Sequence, residues 1–84
     1  MTADMTDLIR TVLAEQGRLP VSPDSLREDE DLYQAGMTSH ASISVMLGLE
    51  AAFDVEFPDR MLTRDVFSSI SNIRSALDEL AATA

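Results

Sequence analysis

Asp31-Leu32-Tyr33-Gln34-Ala35-Gly36-Met37-Thr38-Ser39-His40, followed by the apolar-rich run to Phe53, decides how this chain is read. A loop carrying a serine passes directly into a long helix-forming segment. Thr38 is a good N-cap residue and stands just before the first periodic apolar positions, so a helix is predicted over about 39–53. Ser39 then lies in the first turn. Its hydroxyl sits there beside backbone N–H groups without intrahelical partners, at the positive end of the helix dipole. A phosphate attached at that point is favoured by roughly 0.3–1 kcal/mol when exposed. Ser39 has no evident base. His40 is the only histidine in the chain and the next residue in sequence. Adjacent helical residues project about 100° apart, which argues against a hydrolytic triad.

Within the predicted helix, Val45, Met46, Leu49 and Phe53 cluster on one third of the wheel and read as the core face. Ile43, Leu47 and Ala51 fall on the opposite side, near His40 and Ser44. Glu50 is the only acid between Ser39 and Ala52, in a chain of net charge −9. Scattered surface apolar residues are ordinary and need no explanation. Ile43 and Leu47, however, stack at i, i+4 beside the serine end, and with Ala51 they are expected to form a partner-docking face.

Upstream, Met5, Leu8, Ile9, Val12 and Leu13 repeat at helical spacing, which predicts a helix over about 4–16 stopped by Gly17, with Thr2 or Asp4 as cap. Residues 17–38 form a long loop, and Leu19, Val21, Leu26, Leu32 and Tyr33 are spaced to anchor it on the core. A helical turn is expected near 25–28. The acid run Glu28-Asp29-Glu30-Asp31 reads as a solvated loop, because adjacent carboxylates alone make no defined metal cage. Downstream, Pro58 opens a short helix over about 59–63. Phe57 and Met61 either line a cargo slot beside the serine-bearing helix or simply close the bundle. A last helix is predicted over about 68–82, capped by Ser68 or Ser69, with Ile70, Ile73, Leu77 and Leu80 on one face. Residues 81–84 read as a fraying tail. The expected fold is a single all-α domain over 1–84. It is a small bundle of four helices, three long and one short, with a long loop between the first two long ones.

Composition narrows the function. The 84 residues contain no cysteine, so neither a disulfide framework nor a thiolate metal site is available. Any thiol chemistry must come on an imported group. The acidic balance argues against nucleic acid and anionic membranes and favours partners with basic patches. No run reaches transmembrane length, and no secretory signal pattern opens the chain. A cytoplasmic protein, monomeric on its own, is the expectation.

The order D-L-x-x-x-G-M-x-S, then L-E-A-A-F-D-V-E-F-P-D, resembles the acyl carrier protein family. Its hallmark is a G-x-D-S-L-type motif whose serine receives 4′-phosphopantetheine from coenzyme A. Gly36, Met37, Ser39, Leu49, Glu50, Phe53, Asp54, Glu56, Pro58 and Asp59 match, and Leu32, Val45 and Ile70 fit apolar positions of the pattern. Thr38 replaces the usual aspartate and His40 the usual leucine, departures that bear on which transferase docks. The resemblance implies attachment at Ser39, flanked by Gly36, Met37, Thr38 and His40. It also implies a non-catalytic carrier, holding an acyl or aminoacyl group as a thioester on the arm.

The partners implied are a phosphopantetheinyl transferase, an acyl- or amino-acid-activating ligase and a downstream acyl acceptor enzyme. The acid-poor second helix and the G-M-T-S-H variant look closest to small aminoacyl carriers, served by ligases resembling aminoacyl-tRNA synthetases. Fatty-acid, polyketide, peptide-synthesis and D-alanine-type carriers are the alternative. An unmodified helical interaction domain stands further off, and a small serine enzyme is remote for want of a base. His40 reads either as a contact to phosphate or partner, or as a solvent-facing residue without a task; alone it makes no metal site.

Overall fold

Helix α1 runs Met5–Gln16, α2 Ser39–Phe53 and α3 Ile70–Thr83 in the computed structural model, which describes residues 5–83. Two 3-10 turns, Pro23–Ser25 and Asp59–Met61, complete the regular structure, and no strand occurs among the described residues. The apolar stripes of α1 and α3 meet as their spacing requires. Ile9, Leu13, Val45, Leu49, Ile70 and Ile73 are fully buried, and Leu32 joins them from the long loop. Helix α1 is the hub, packing on both α2 and α3.

The expected fourth helix over 59–63 is instead a 3-10 turn of three residues. Met61 N–H reaches Pro58 O at 2.8 Å and Leu62 N–H reaches Asp59 O at 3.0 Å. Leu62 then leaves helical geometry (φ −86°, ψ 62°), and no side chain caps the start. Among the described residues the bundle therefore has three α-helices. The turn expected near 25–28 lies earlier, where Ser22 caps Pro23–Ser25. Helix α3 starts at Ile70, not at 68, because Ser69 Oγ takes the Asn72 N–H at 3.1 Å and so serves as the cap. It runs on to Thr83, one residue past the expected end at 82. Thr2, Asp4 and Ala84 lie outside the described residues.

Several side chains depart from the periodic reading. Val21 is 43% exposed, so it does not anchor the loop. Phe53 and Met46 are half-buried, packed against the core rather than inside it. Phe53 is the last residue of α2, and Asp54 turns the chain away in a left-handed conformation (φ 54°). Ala41, Met37, Phe67 and Ala76 are buried instead. Phe67 meets Phe57 edge to face at 5.4 Å.

The long loop is held at both flanks. Arg10 donates to the carbonyls of Pro23 and Leu26, the latter at 2.8 Å. Leu32 N–H bonds Ser68 O at 2.7 Å and Ser71 N–H bonds Glu28 O at 2.8 Å. These bonds tie the approach to Ser39 to the start of α3.

Candidate functional site

The serine is presented by a turn that satisfies its own backbone. Asp31 Oδ1 accepts the N–H groups of Tyr33 at 2.9 Å and Gln34 at 3.3 Å. Ala35, Gly36 and Met37 then donate back to the carbonyls of Asp31, Tyr33 and Leu32. Gly36 sits at φ 123°, and a Cβ there would meet Pro20 Cδ at 2.6 Å, so both conformation and space demand glycine. Met37, 3% exposed, is driven into the core and fixes the last step before the helix. Thr38 is the N-cap, extended at ψ 163°, and its Oγ1 accepts the Ala41 N–H at 3.0 Å.

Ser39 is therefore the first residue of α2 and is exposed, as is His40. Among the described residues the Ser39 hydroxyl engages no partner; only its carbonyl does, accepting from Ser42 Oγ at 2.7 Å. No base addresses it. The geometry suits a hydroxyl offered to another enzyme's chemistry, with the helix N-terminus favouring an anion on it.

Beside Ser39 lies a groove of about 450 Å³. Ser42, Ile43 and Met46 of α2 form one wall, and Leu62, Thr63, Arg64 and Phe67 form the other, with Tyr33 at the end of the loop. Arg64 places Cζ 4.0 Å from the centroid of the Tyr33 ring. Phe57 and Met61 do not line this groove. Both are 4% exposed and belong to the core, so they close the bundle. The groove residues that sequence reasoning missed, Leu62, Arg64 and Phe67, lie in an irregular stretch where no period signals which side chains face α2.

Ile43 and Leu47 are 56% and 55% exposed. Ala51 is exposed as well, but it borders the cleft between α2 and α1 with Leu8 and Thr11. Only Ile43 of the three reaches the groove. Glu50, the one acid of α2, is occupied: its Oε2 accepts the Phe57 N–H at 2.8 Å. The acid run carries ion pairs of its own, Arg27–Asp29 at 3.7 Å and Arg74–Glu28 at 3.9 Å. No cluster able to hold a metal ion occurs among the described residues, and no helix there is long and apolar enough to cross a membrane.

Comparison with known proteins agrees with this geometry. The family described as "Phosphopantetheine attachment site" matches residues 7–78. An aminoacyl carrier protein of Agrobacterium fabrum (strain C58 / ATCC 33970) is 47% identical over 73 residues, 87% of this chain and 88% of that one. A chain in the crystal structure of an engineered Bradyrhizobium japonicum glycine:carrier protein ligase, complexed with a carrier protein from Agrobacterium tumefaciens and AMP, superposes with a TM-score of 0.86. It is 46% identical, and the match covers 88% of this chain and 99% of that chain. A solution structure from Agrobacterium tumefaciens gives a TM-score of 0.75 at 44% identity, over 93% and 94% of the two chains.

Proposed function

Because the chain belongs to the phosphopantetheine-attachment family, we propose that it is an aminoacyl carrier whose Ser39 bears the 4′-phosphopantetheine arm. One observation carries the reading. An exposed, unengaged serine hydroxyl opens a capped helix with no free acid along it, beside a groove with room for an arm. The residues present fit the group. The first-turn N–H groups and the helix dipole favour its phosphate, and the apolar wall of Ile43, Met46 and Leu62 suits an uncharged stem. When bound, the group supplies a terminal thiol on which an amino acid is held in activated form. The chain itself presents, orients and is recognised, without catalysing. An arm tethered at one point also gives each partner a high effective concentration of cargo.

Aminoacyl cargo is supported by the relatives, which are an aminoacyl carrier and carrier chains complexed with a glycine ligase. The partners proposed are a phosphopantetheinyl transferase, an amino-acid ligase and a downstream acceptor enzyme, all in the cytoplasm where coenzyme A is available. Gly36, Met37, Thr38 and His40 flank the attachment point. Ile43 and Leu47, with Ala51 further along, offer the partners an uncharged docking face.

Intact mass tests the reading. Incubation with coenzyme A, Mg²⁺ and a permissive transferase is expected to add one arm to the wild type and none to Ser39→Ala. Subsequent incubation with ATP, glycine and a glycine:carrier protein ligase adds the aminoacyl mass only to the armed form. An arm found on Ser42 or Ser44 in the Ser39→Ala chain overturns the assignment.

A further inference from the structure

Arg64 is out of pattern for this molecule. The chain holds 15 aspartates and glutamates. Arg27, Arg60 and Arg74 each meet a carboxylate, and Arg10 is spent on backbone carbonyls. Among the described residues Arg18 and Arg64 form neither an ion pair nor a side-chain hydrogen bond, and Arg64, unlike Arg18, lines the groove beside Ser39. Arg64 rests instead over the Tyr33 ring, 4.0 Å from the centroid. Both residues line the groove that begins at Ser39, and among the described residues Arg64 is the only charged side chain in that lining.

We propose that Arg64, steadied on Tyr33, is a positioning residue for the arm: its guanidinium takes the phosphodiester at Ser39 and lays the arm into the groove. This rests on the reading of Ser39 given above. A phosphodiester is a monoanion with two non-bridging oxygens, and the guanidinium fork matches that pair with two parallel N–H bonds. Contact with a ring face leaves the N–H donors of the guanidinium available, because the ring acts on the cation and accepts no in-plane bond. The ring also limits the rotamers that Arg64 would otherwise lose on binding, which lowers the entropic cost of the contact. The helix N-terminus and Arg64 then approach the same phosphate from two sides of the groove mouth. With the phosphate held, the uncharged stem of the arm is directed along Met46 and Leu62 rather than into solvent.

The test uses the intact protein carrying its arm, as wild type, Arg64→Ala and Arg64→Lys. Three readouts are taken: intact mass, the ³¹P resonance, and nuclear Overhauser contacts from the arm's methyl groups to Met46 and Leu62. In the wild type the ³¹P resonance is expected to differ from that of the same chain unfolded in urea, and the methyl contacts to be present. Arg64→Ala should move the resonance toward the unfolded position and lose the contacts. Its apo form should keep the wild-type melt, since the side chain is exposed. Arg64→Lys, a point charge without the fork, should fall between the two.

An unchanged ³¹P position and unchanged contacts in Arg64→Ala overturn the proposal. So does a wild type with the arm confirmed by mass at Ser39 but no methyl contacts, which leaves the carrier reading intact. Absence of the arm from Ser39 by mass overturns both.

Discussion

The two edges of α2 face opposite conditions. Along one, Gly48 lies so close to α1 that a Cβ there would meet Val12 Cγ1 at 2.9 Å and Gln16 Cγ at 3.2 Å. Along the other, Ser42 and Met46 border the open groove beside Ser39. One edge is closely approached by α1 at Gly48, beside a cleft between the two helices; the other carries the groove beside Ser39. The arrangement separates two tasks that a domain this small could easily confound. Helix α2 is gripped from behind by α1 and from beneath through Val45 and Leu49, so the side displaying Ser39, Ile43 and Leu47 need contribute little to stability. Substitutions on the two edges should therefore report on different quantities, one on the melt and the other on loading.

The sharpest way to break that comparison is Gly48→Val. Two branches at Cβ cannot be placed without moving Val12, which is itself 4% exposed. Overpacking of this kind costs about 1–3 kcal/mol. The better helix propensity of valine over glycine returns only a few tenths, roughly. A melting temperature lower by about 4–8 °C for each kcal/mol is expected in a domain of this size. Loading well below the melt should stay near normal. A Gly48→Val chain that melts like the wild type would show that α1 does not pack closely against Gly48.

Leu47→Asp probes the free side. Leu47 is 55% exposed, so the melt should hold to within about 0.5 kcal/mol. In a complex, an unpaired carboxylate pressed into an apolar contact costs about 1–3 kcal/mol, or ~5–150-fold in loading efficiency with an amino-acid ligase. The measurement is loading rate against carrier concentration, with a melt of the same sample. Normal loading would remove this face of α2 from recognition and leave the loops flanking Ser39 to carry it.

These outcomes bear on how much the sequence could disclose. Helices α1 and α3 are one-sided, and Ile9, Val12, Leu13, Ile70, Ile73 and Leu77 follow from spacing. Leu8 and Leu80 of the same stripes end half-buried, whereas Ala76 is buried without a periodic signal. The limits of α2 are legible because Thr38 caps one end and the chain breaks from the helix just past Phe53. Its orientation is harder, since apolar residues run all round it. Phe53 belongs to the core stripe by angle, yet it ends half-buried because the chain leaves the helix at Asp54. Pro58 signals a helix start correctly, but nothing local reveals that Leu62 abandons it after three residues. Ser39 stands out through its cap and its motif. The groove beside it does not, because Tyr33 and Arg64 are brought together by tertiary bonds such as Leu32 N–H to Ser68 O, which no periodic pattern encodes.

The smallest expected effect belongs to the acid run, which lies off α2 altogether. Glu28→Gln, Asp29→Asn and Glu30→Gln together reduce the net charge from −9 to −6. The ion pairs lost are exposed: Arg27 and Asp29 side chains are each 81% accessible at 3.7 Å, and Arg74–Glu28 spans 3.9 Å. Such pairs contribute about 0–1 kcal/mol each, so the melt should move little. Glutamine at position 30 still offers an acceptor to the Arg27 N–H that Glu30 now takes at 3.2 Å. What changes is the long-range attraction of a basic partner, which acts on the rate of encounter more than on the bound complex. At low salt the triple variant should load a few-fold more slowly, on the order of what removing steering charges does. At physiological ionic strength, where exposed charges are screened beyond about 8 Å, the difference should nearly vanish. Loading rates for wild type and variant at two salt levels decide the matter. A slowdown that persists in high salt would mean the loop touches the enzyme directly, and recognition would then extend from the free side of α2 across to the loop pinned on α3.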